Sequence, residues 1–389
     1  MKNTAEVVVV GAGVIGCSIA YYLAKIGVKV TVIEKRPGLC YGASGSNQAG
    51  CNFYFDSPAI NQLARESSKL HIGLSEEIKY NTEFHIERRI TCSTNEEHHP
   101  YLENRAKELI KNGLTARLMK GDELRKQEPA LGERVIIGLE QESGTVNPFR
   151  LNYGLGRAAE KLGTKFLFSS EVKGIGTEKG KIVSVTTDKE KISTYYLVNA
   201  TGAWASDIGK MVGMNIPIKP RRGQVIVTEP IPLNKTWRWI VDAHFLTTTF
   251  SSKTDEQQQN PWFRLGIAGA FCQDMTGNWT IGSSHDYPGY NATVTIDTVK
   301  FIAKRAIEFM PKLKDVNCIR MFAGLRSFCY ADGIPIIDKT NDPSGLFIAS
   351  GHAGYGIALA PITGKIISEL ISENKTSVPI EAFSMSRFK

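Results

Sequence analysis

Apolar and polar positions alternate along the chain in short blocks that predict short elements. Residues 6–10 form an apolar, β-branched run without alternation, the pattern of a strand buried on both faces of a parallel sheet. A turn follows, Gly11-Ala12-Gly13-Val14-Ile15-Gly16, then a helical pattern through Ala20, Leu23 and Ala24 that stops at Gly27, then a second strand over 29–33. Together these make a βαβ unit. Helical spacing recurs over 66–79, over 101–112 with Gly113 as its C-cap, and over 300–310. Between 171 and 198, short β-rich runs alternate with turn residues and predict a small antiparallel meander. Near the end, 346–349 reads as a strand and 351–356 as a glycine-rich turn. The helix expected over 359–371 aligns Leu359, Ile362, Ile366, Ile367 and Leu370, and puts Pro361 in its first turn. The polar stretch SSKTDEQQQN at 251–260 is expected to be an exposed loop or hairpin extension.

The first turn has a chemical meaning because of its surroundings. A strand precedes it, a helix follows, and Glu34 ends the second strand, 21 residues beyond Gly13. In a dinucleotide site Gly11 makes the tight turn, Gly13 admits a pyrophosphate to the backbone, and Gly16 lets the helix pack on the strand. The helix start, with Val14 and Ile15, turns N–H groups and a positive dipole end toward phosphate. Glu34 would take the ribose diol and repel a 2′-phosphate. The unit alone does not separate FAD from NAD.

Composition narrows this little. The 389 residues allow two substantial domains, and 42% hydrophobic with 22% charged residues is ordinary for a soluble protein. No apolar run is long enough for a transmembrane helix, and the strand pattern starts too early to leave room for a signal peptide. The net charge of +8 is spread without a compact basic run, so a nucleic-acid partner is not expected, although the charge could attract an anionic substrate. Seven cysteines without a CxxC pair argue against a disulfide framework or zinc site and fit a reducing cytoplasm. No metal site is expected, and the His98-His99 pair reads as solvent-facing.

Several further segments, in order, extend the pattern over the whole chain. They are the small-residue loop 41–50 (YGASGSNQAG), Gly144-Thr145-Val146-Asn147-Pro148-Phe149-Arg150 and Val198-Asn199-Ala200-Thr201-Gly202-Ala203-Trp204. Later come Arg222-Gly223-Gln224, Ile281-Gly282-Ser283-Ser284, Ala323-Gly324-Leu325-Arg326, Asp332-Gly333-Ile334-Pro335 and Gly351-His352-Ala353-Gly354-Tyr355-Gly356-Ile357. This ordered set resembles the D-amino-acid oxidase superfamily of flavoenzymes, which includes glycine oxidase, sarcosine oxidase and the flavin subunits of proline and hydroxyproline dehydrogenases.

The resemblance implies a mixed α/β chain with a Rossmann-like, discontinuous FAD domain (1–80, 150–212 and 322–389). Interleaved with it would be a substrate domain (81–149 and 213–321) on a mixed, largely antiparallel sheet. It implies non-covalent FAD near Gly11, Gly13, Val14, Ile15, Gly16, Glu34, Lys35, Ser44, Asn47, Gln48, Ala49, Val172, Ala200, Thr201, Gly202 and Trp204. Toward the C-terminus the same set takes in Gly324, Gly351, His352, Gly354, Tyr355, Gly356 and Ile357. Arg326 would clamp a substrate carboxylate, with Tyr330 and His244 as further pocket candidates; a guanidinium suits this because it makes two parallel bonds. The segment 327–331 is one residue longer than the family spacing and lacks its usual Pro and Thr. Cys329 misses the offset of a covalent flavin tether and reads as a buried thiol.

The implied reaction is oxidation of the C–N bond of a small or secondary amino acid of the glycine, sarcosine, proline or hydroxyproline type. The Cα hydrogen would leave as hydride to flavin N5, and the imine would hydrolyse. O₂ or a partner subunit would take the electrons, in a homo- or hetero-oligomer. The alternatives are a non-catalytic or electron-relay flavin subunit of a heteromeric dehydrogenase and, further off, an NAD-dependent dehydrogenase.

Overall fold

The computed structural model describes residues 4–388 except 56, 235, 245–260, 268 and 374, so the 251–260 expectation lies outside the described residues. The chain divides into two compact units. One comprises Met1–His85, Thr145–Arg221 and Leu325–Lys389; the other comprises Ile86–Gly144 and Arg222–Gly324.

The first unit is built on a six-stranded sheet of β1 (Val7–Val10), β2 (Val30–Ile33), β3 (Lys165–Leu167), β4 (Tyr196–Asn199), β5 (Ile336–Lys339) and β6 (Leu346–Ser350). The spatial order is β5-β6-β4-β1-β2-β3, parallel except for β5 on β6. Every residue of β1, β2 and β6 is buried, which is why these strands read as unbroken apolar runs. Helices α1 (Val14–Lys25), α2 (Pro58–Glu77), α3 (Pro148–Lys161) and α4 (Gly356–Ser372) share one apolar core with this sheet. Small residues set the spacing: a Cβ on Gly364 of α4 would sit 2.7 Å from the Ser18 carbonyl carbon of α1. A three-stranded antiparallel sheet, Val172–Glu178, Lys181–Thr187 and Lys191–Ser193, forms the expected meander. The last part of the predicted stretch, β4, joins the parallel sheet instead.

Three helices start earlier than their apolar spacing suggests. The one expected from 66 begins at Pro58, where Ser57 caps the Ile60 N–H and proline suits the first turn. The one expected from 300 begins at Ile296, after Thr295. Helix α4 begins at Gly356, so Pro361 lies inside it. Pro361 withholds the N–H that Ile357 would have accepted. Side chains of α2 serve this turn: Ser67 Oγ donates to the Ala358 carbonyl at 2.5 Å, and the His71 ring lies 3.1 Å from the same oxygen. Burial holds His71 neutral, lowering its pKa to about 4.

The second unit is a mixed sheet in the order Cys318–Cys329, Ile218–Pro230, Asn278–Gly282, Ala270–Gln273, Trp239–Asp242, His85–Ser93, Ile137–Thr145, with Ala116–Lys120 also on Ile137–Thr145. Trp239–Asp242 runs parallel to His85–Ser93 and antiparallel to Ala270–Gln273. Trp237, Trp279, Phe271 and Phe309 fill its core, and Trp237 Nε1 donates to Glu140 at 2.7 Å. His98 contradicts its expected exposure. It is buried, 2.8 Å from Ser93 Oγ, with the His244 ring at 5.9 Å. No described helix is long and apolar enough to cross a membrane.

Candidate active site

The glycine turn between β1 and α1 has three different constraints. Gly11 has φ +105°, and a Cβ there would come 2.6 Å from the Ala200 carbonyl oxygen. A Cβ on Gly16 would overlap the Gly11 carbonyl oxygen itself. Gly13 is different: among the described residues a Cβ there would meet Ser44 Oγ alone, at 3.2 Å. Ser44, in the 3₁₀ turn Ala43–Ser46, accepts the Val14 N–H at 2.9 Å. Ile15, the next residue of α1, is half-buried. The α1 N-terminus has no capping side chain from Gly13 and no acidic residue in its first turn, so its positive end faces a rim of small residues.

Glu34 ties this turn to the end of β2. Its Oε2 accepts the Ala12 N–H at 2.9 Å and its Oε1 the Arg36 N–H at 2.8 Å. A carboxylate offers about four acceptor positions, so these bonds do not exhaust it. The Lys35 ammonium lies 3.8 Å over the Trp204 ring, and burial lowers its pKa, with Arg36 adding to the effect. Beside them a cavity of about 350 Å³ is lined by Lys35, Arg36, Ser169, Glu171 and Asp188. Val172 follows, buried at the start of its strand.

After β4 the chain turns on Asn199, whose Oδ1 accepts the Thr201 hydroxyl at 2.7 Å while its Nδ2 donates to Ala205 at 2.9 Å. Ala200 is buried, and Gly202, at φ +61°, has nothing within 4 Å of where a Cβ would lie. The 41–50 loop is held similarly. Asn47 Oδ1 accepts the Ala49 N–H at 2.7 Å, Ala49 takes φ +70°, and Gln48 lies between them, half-buried.

The third turn leads into α4. Gly351 and Ala353 take φ +83° and +47°, and both are fastened to Ser327: the Gly351 N–H donates to its hydroxyl at 2.6 Å, the Ala353 N–H to its carbonyl at 2.7 Å. His352 bridges Phe328, and its Nε2 lies 3.0 Å from Thr363 Oγ1. Burial lowers its pKa to about 3, so the ring is neutral. Tyr355 rests edge-on against Phe55 at 4.5 Å. Gly354 faces open space, and Gly356 and Ile357 open α4, which has no capping side chain.

Arg326 sits half-buried between buried Leu325 and Ser327. Tyr330, just past the strand, is 49% exposed, with the Lys219 ammonium 5.5 Å from its ring. Cys329 is fully buried, and burial, then Asp332, raises its pKa; it is an inert thiol. His244 and Gly324 belong to the second unit. There the His244 N–H donates to Asp242 Oδ1 at 3.0 Å and its ring meets Phe263 at 5.6 Å. Burial lowers the His244 pKa, and Asp242 works against that shift.

Two helix N-termini that their own N-cap residues leave uncapped, and open faces at Gly13, Gly202 and Gly354, fit a flavin dinucleotide. Residues 6–370 match the family model described as FAD dependent oxidoreductase. The chain belongs to that family.

Among its relatives is hydrogen cyanide synthase subunit HcnC of Pseudomonas aeruginosa, 27% identical over 100% of this chain and 97% of the relative. Glycine oxidase of Geobacillus kaustophilus is also 27% identical, over 100% and 98%. The crystal structure of L-proline dehydrogenase from P. horikoshii superposes with a TM-score of 0.87 at 27% identity, covering 100% and 98%. As a member of the FAD dependent oxidoreductase family the chain is an enzyme with FAD as its cofactor. The fold is the mixed α/β fold of these structures.

Within this family setting, three residues not singled out from the sequence shape the turns: Asn199, Ser327 and Thr363. Asn199 was readable, since asparagine before a small-residue turn bonds its own backbone. Ser327 and Thr363 carry no local signal, because their partners lie 24 and 11 residues away.

Proposed function

We propose that this oxidoreductase oxidises the C–N bond of a small or secondary amino acid of the glycine, sarcosine, proline or hydroxyproline type. The observation that carries the reading is the junction of Arg326 with the α4 turn. Ser327, the next residue, holds both Gly351 and Ala353, so the backbone that carries Arg326 is fastened to the turn before α4. Arg326 would bind the substrate carboxylate with two parallel bonds and so fix the Cα–H and the amine. FAD, when bound, would supply the two-electron acceptor for the Cα hydrogen leaving as hydride. The amine's electron pair then forms C=N, a proton leaves nitrogen, and water hydrolyses the imine. His352, neutral and committed to Thr363, keeps its proton throughout. The positive end of α4 would favour the negative charge that a reduced flavin carries.

The remaining assignments follow the same reading. FAD is non-covalent, held by the glycine turn and Glu34. An interleaved FAD domain and substrate domain are supported by the two compact units, whose segments end at His85, Arg221 and Gly324 where the sequence suggested 80, 212 and 321. The relatives include an oxidase, a dehydrogenase and a subunit, so they support the reaction class and leave O₂ and a partner subunit both open as acceptors. Six buried thiols and one exposed one accord with a reducing cytoplasm. A second reading, an electron-relay subunit, draws on the subunit named among the relatives; co-purification with a second chain and no turnover alone would favour it.

The test is an anaerobic visible spectrum before and after glycine, sarcosine, D- and L-proline and hydroxyproline. Bleaching by one of them supports the reading, and readmitted air separates oxidase from dehydrogenase. A flavin that no amine acid bleaches removes it. Arg326→Ala should raise KM for carboxylate substrates by roughly two orders of magnitude or more while FAD content holds. Unchanged kinetics would take Arg326 out of the site.

A further inference from the structure

The N–H groups of the glycine turn are not equally committed. Gly11 donates to the Ile33 carbonyl at 2.8 Å, Ala12 to Glu34 Oε2 at 2.9 Å and Val14 to Ser44 Oγ at 2.9 Å. Of these four consecutive N–H groups, that of Gly13 alone has no acceptor among the described residues. Its direction is decided by the other half of its own peptide. In a trans peptide the C=O and N–H point opposite ways, so whatever holds the Ala12 carbonyl also aims the Gly13 N–H. Two side chains hold that carbonyl. Asn152 Nδ2, from α3, donates to it at 3.2 Å, and the Cys17 S–H of α1 reaches it at 3.5 Å. Burial raises the Cys17 pKa well above the ordinary thiol range, so the sulfur keeps its proton. A thiol is a weak donor, which leaves Asn152 as the stronger of the two.

Asn152 is wholly buried, and its other end is unsatisfied: Oδ1 has no donor among the described residues. A buried acceptor left unpaired costs stability, and leucine, with the same branched outline and no polar atom, would fill the place without that cost. Packing between α1 and α3 therefore does not explain the amide; the bond from Nδ2 to the Ala12 carbonyl does. Without a strong donor on that side, the Ala12–Gly13 peptide would be free to turn over. A carbonyl oxygen would then meet an incoming phosphate where an N–H is needed, and repulsion would replace attraction.

We propose that Asn152 is a positioning residue for the cofactor: through the Ala12 carbonyl it aims the Gly13 N–H away from α3, and so gives the FAD pyrophosphate the one uncommitted donor of residues 11–14. Glu34 fixes the preceding peptide by accepting the Ala12 N–H, so Asn152 and Glu34 between them lock two consecutive peptides of the turn. The role needs FAD and no particular substrate, and it holds whichever amine is oxidised.

The experiment compares the wild type, Asn152→Leu and Asn152→Ala as FAD-loaded proteins. Free FAD after ultrafiltration gives the dissociation constant, phosphorus NMR of the bound cofactor reads its two phosphates, and melting is followed in excess FAD. Both variants should bind FAD about tenfold more weakly or worse, the loss of one charge-assisted hydrogen bond. At least one bound phosphorus resonance should move. Melting of Asn152→Leu should fall no further than the roughly 2 °C that tenfold weaker ligand binding itself removes. Unchanged affinity in either folded variant overturns the proposal. So does weaker binding with both phosphorus resonances at their wild-type positions, since a packing defect would spare the surroundings of the phosphates. A melt lowered several times further in both variants marks the amide as structural and overturns it as well. Asn152→Ala keeps the test decisive if the leucine prevents folding.

Discussion

Adding one methyl group at Gly16 should cost more stability than adding it at Gly13, although both glycines belong to one motif. At Gly16 the new Cβ would overlap the Gly11 carbonyl oxygen, so α1 must retreat from the turn by roughly an ångström to restore ordinary contact. Retreat is blocked behind. Gly364 of α4 already lies against the Ser18 backbone of α1, at distances that leave no room for a Cβ. Overpacking against backbone with no slack belongs at the upper end of its range, about 3 kcal/mol. For a chain of this size that is a fall in melting temperature of about 4 °C. At Gly13 the methyl meets only the rotatable Ser44 hydroxyl, and φ −71° suits alanine, so the cost is under about 1 kcal/mol. FAD retention should nonetheless drop in Gly13→Ala, because the lost space is the open side of the turn. The assay is a thermal melt together with flavin absorbance per protein after dialysis. If Gly16→Ala melts with the wild type, or Gly13→Ala loses as much stability as Gly16→Ala, the division of labour between these glycines is wrong.

Other expectations follow from the buried polar groups. Asp242, fully buried, accepts Arg305 Nε at 2.7 Å as well as the His244 N–H; Asp242→Asn should cost about 3 kcal/mol, since Arg305 keeps Glu308 at 2.7 Å, and a melt near wild type would refute this. His71 and His352 are held neutral far below the ordinary histidine value, so the unfolded chain binds their protons first as the solution turns acid. Stability should therefore fall as pH drops from about 6.5 toward 4, by up to about 1.4 kcal/mol per pH unit for each ring. His352→Asn should flatten that slope; an unchanged slope would show that His352 is not held neutral.

How much of this the sequence disclosed depends on how local each cause is. The first βαβ unit is legible because its strands are buried on both faces and its glycines answer to neighbours within the turn. Helix starts are less so: Ser57-Pro58 is a readable start signal, yet apolar spacing begins only at the residues facing the core. Pro361 misleads because the helix extends back to Gly356, where apolar spacing gives no signal, and Ser67 and His71 of α2 reach Ala358, next to the carbonyl that the proline leaves without its donor. His98 looked exposed beside polar neighbours and is buried because Ser93 and the ring of His244, 146 positions away, enclose it. In the Arg221-Arg222 pair, Arg222 closes an ion pair with Asp286 at 2.5 Å, and only the strand pairing sends Arg221 to the opposite face, over Phe328.

The order of strands in the parallel sheet also sets a timetable. Strand β1 lies between β2, which follows it at once, and β4, which is made only after residue 196; α1 rests on α4, complete only at Ser372. At bacterial to eukaryotic ribosome speeds, roughly 20–70 s separate the glycine turn from the last helix that braces it. Through that interval the apolar faces of β1 and α1 have no permanent cover. The flavin cradle, first in the chain, is thus among the last parts of the molecule to become rigid, and FAD can lock into place only on a chain that has been synthesised almost to its C-terminal helix.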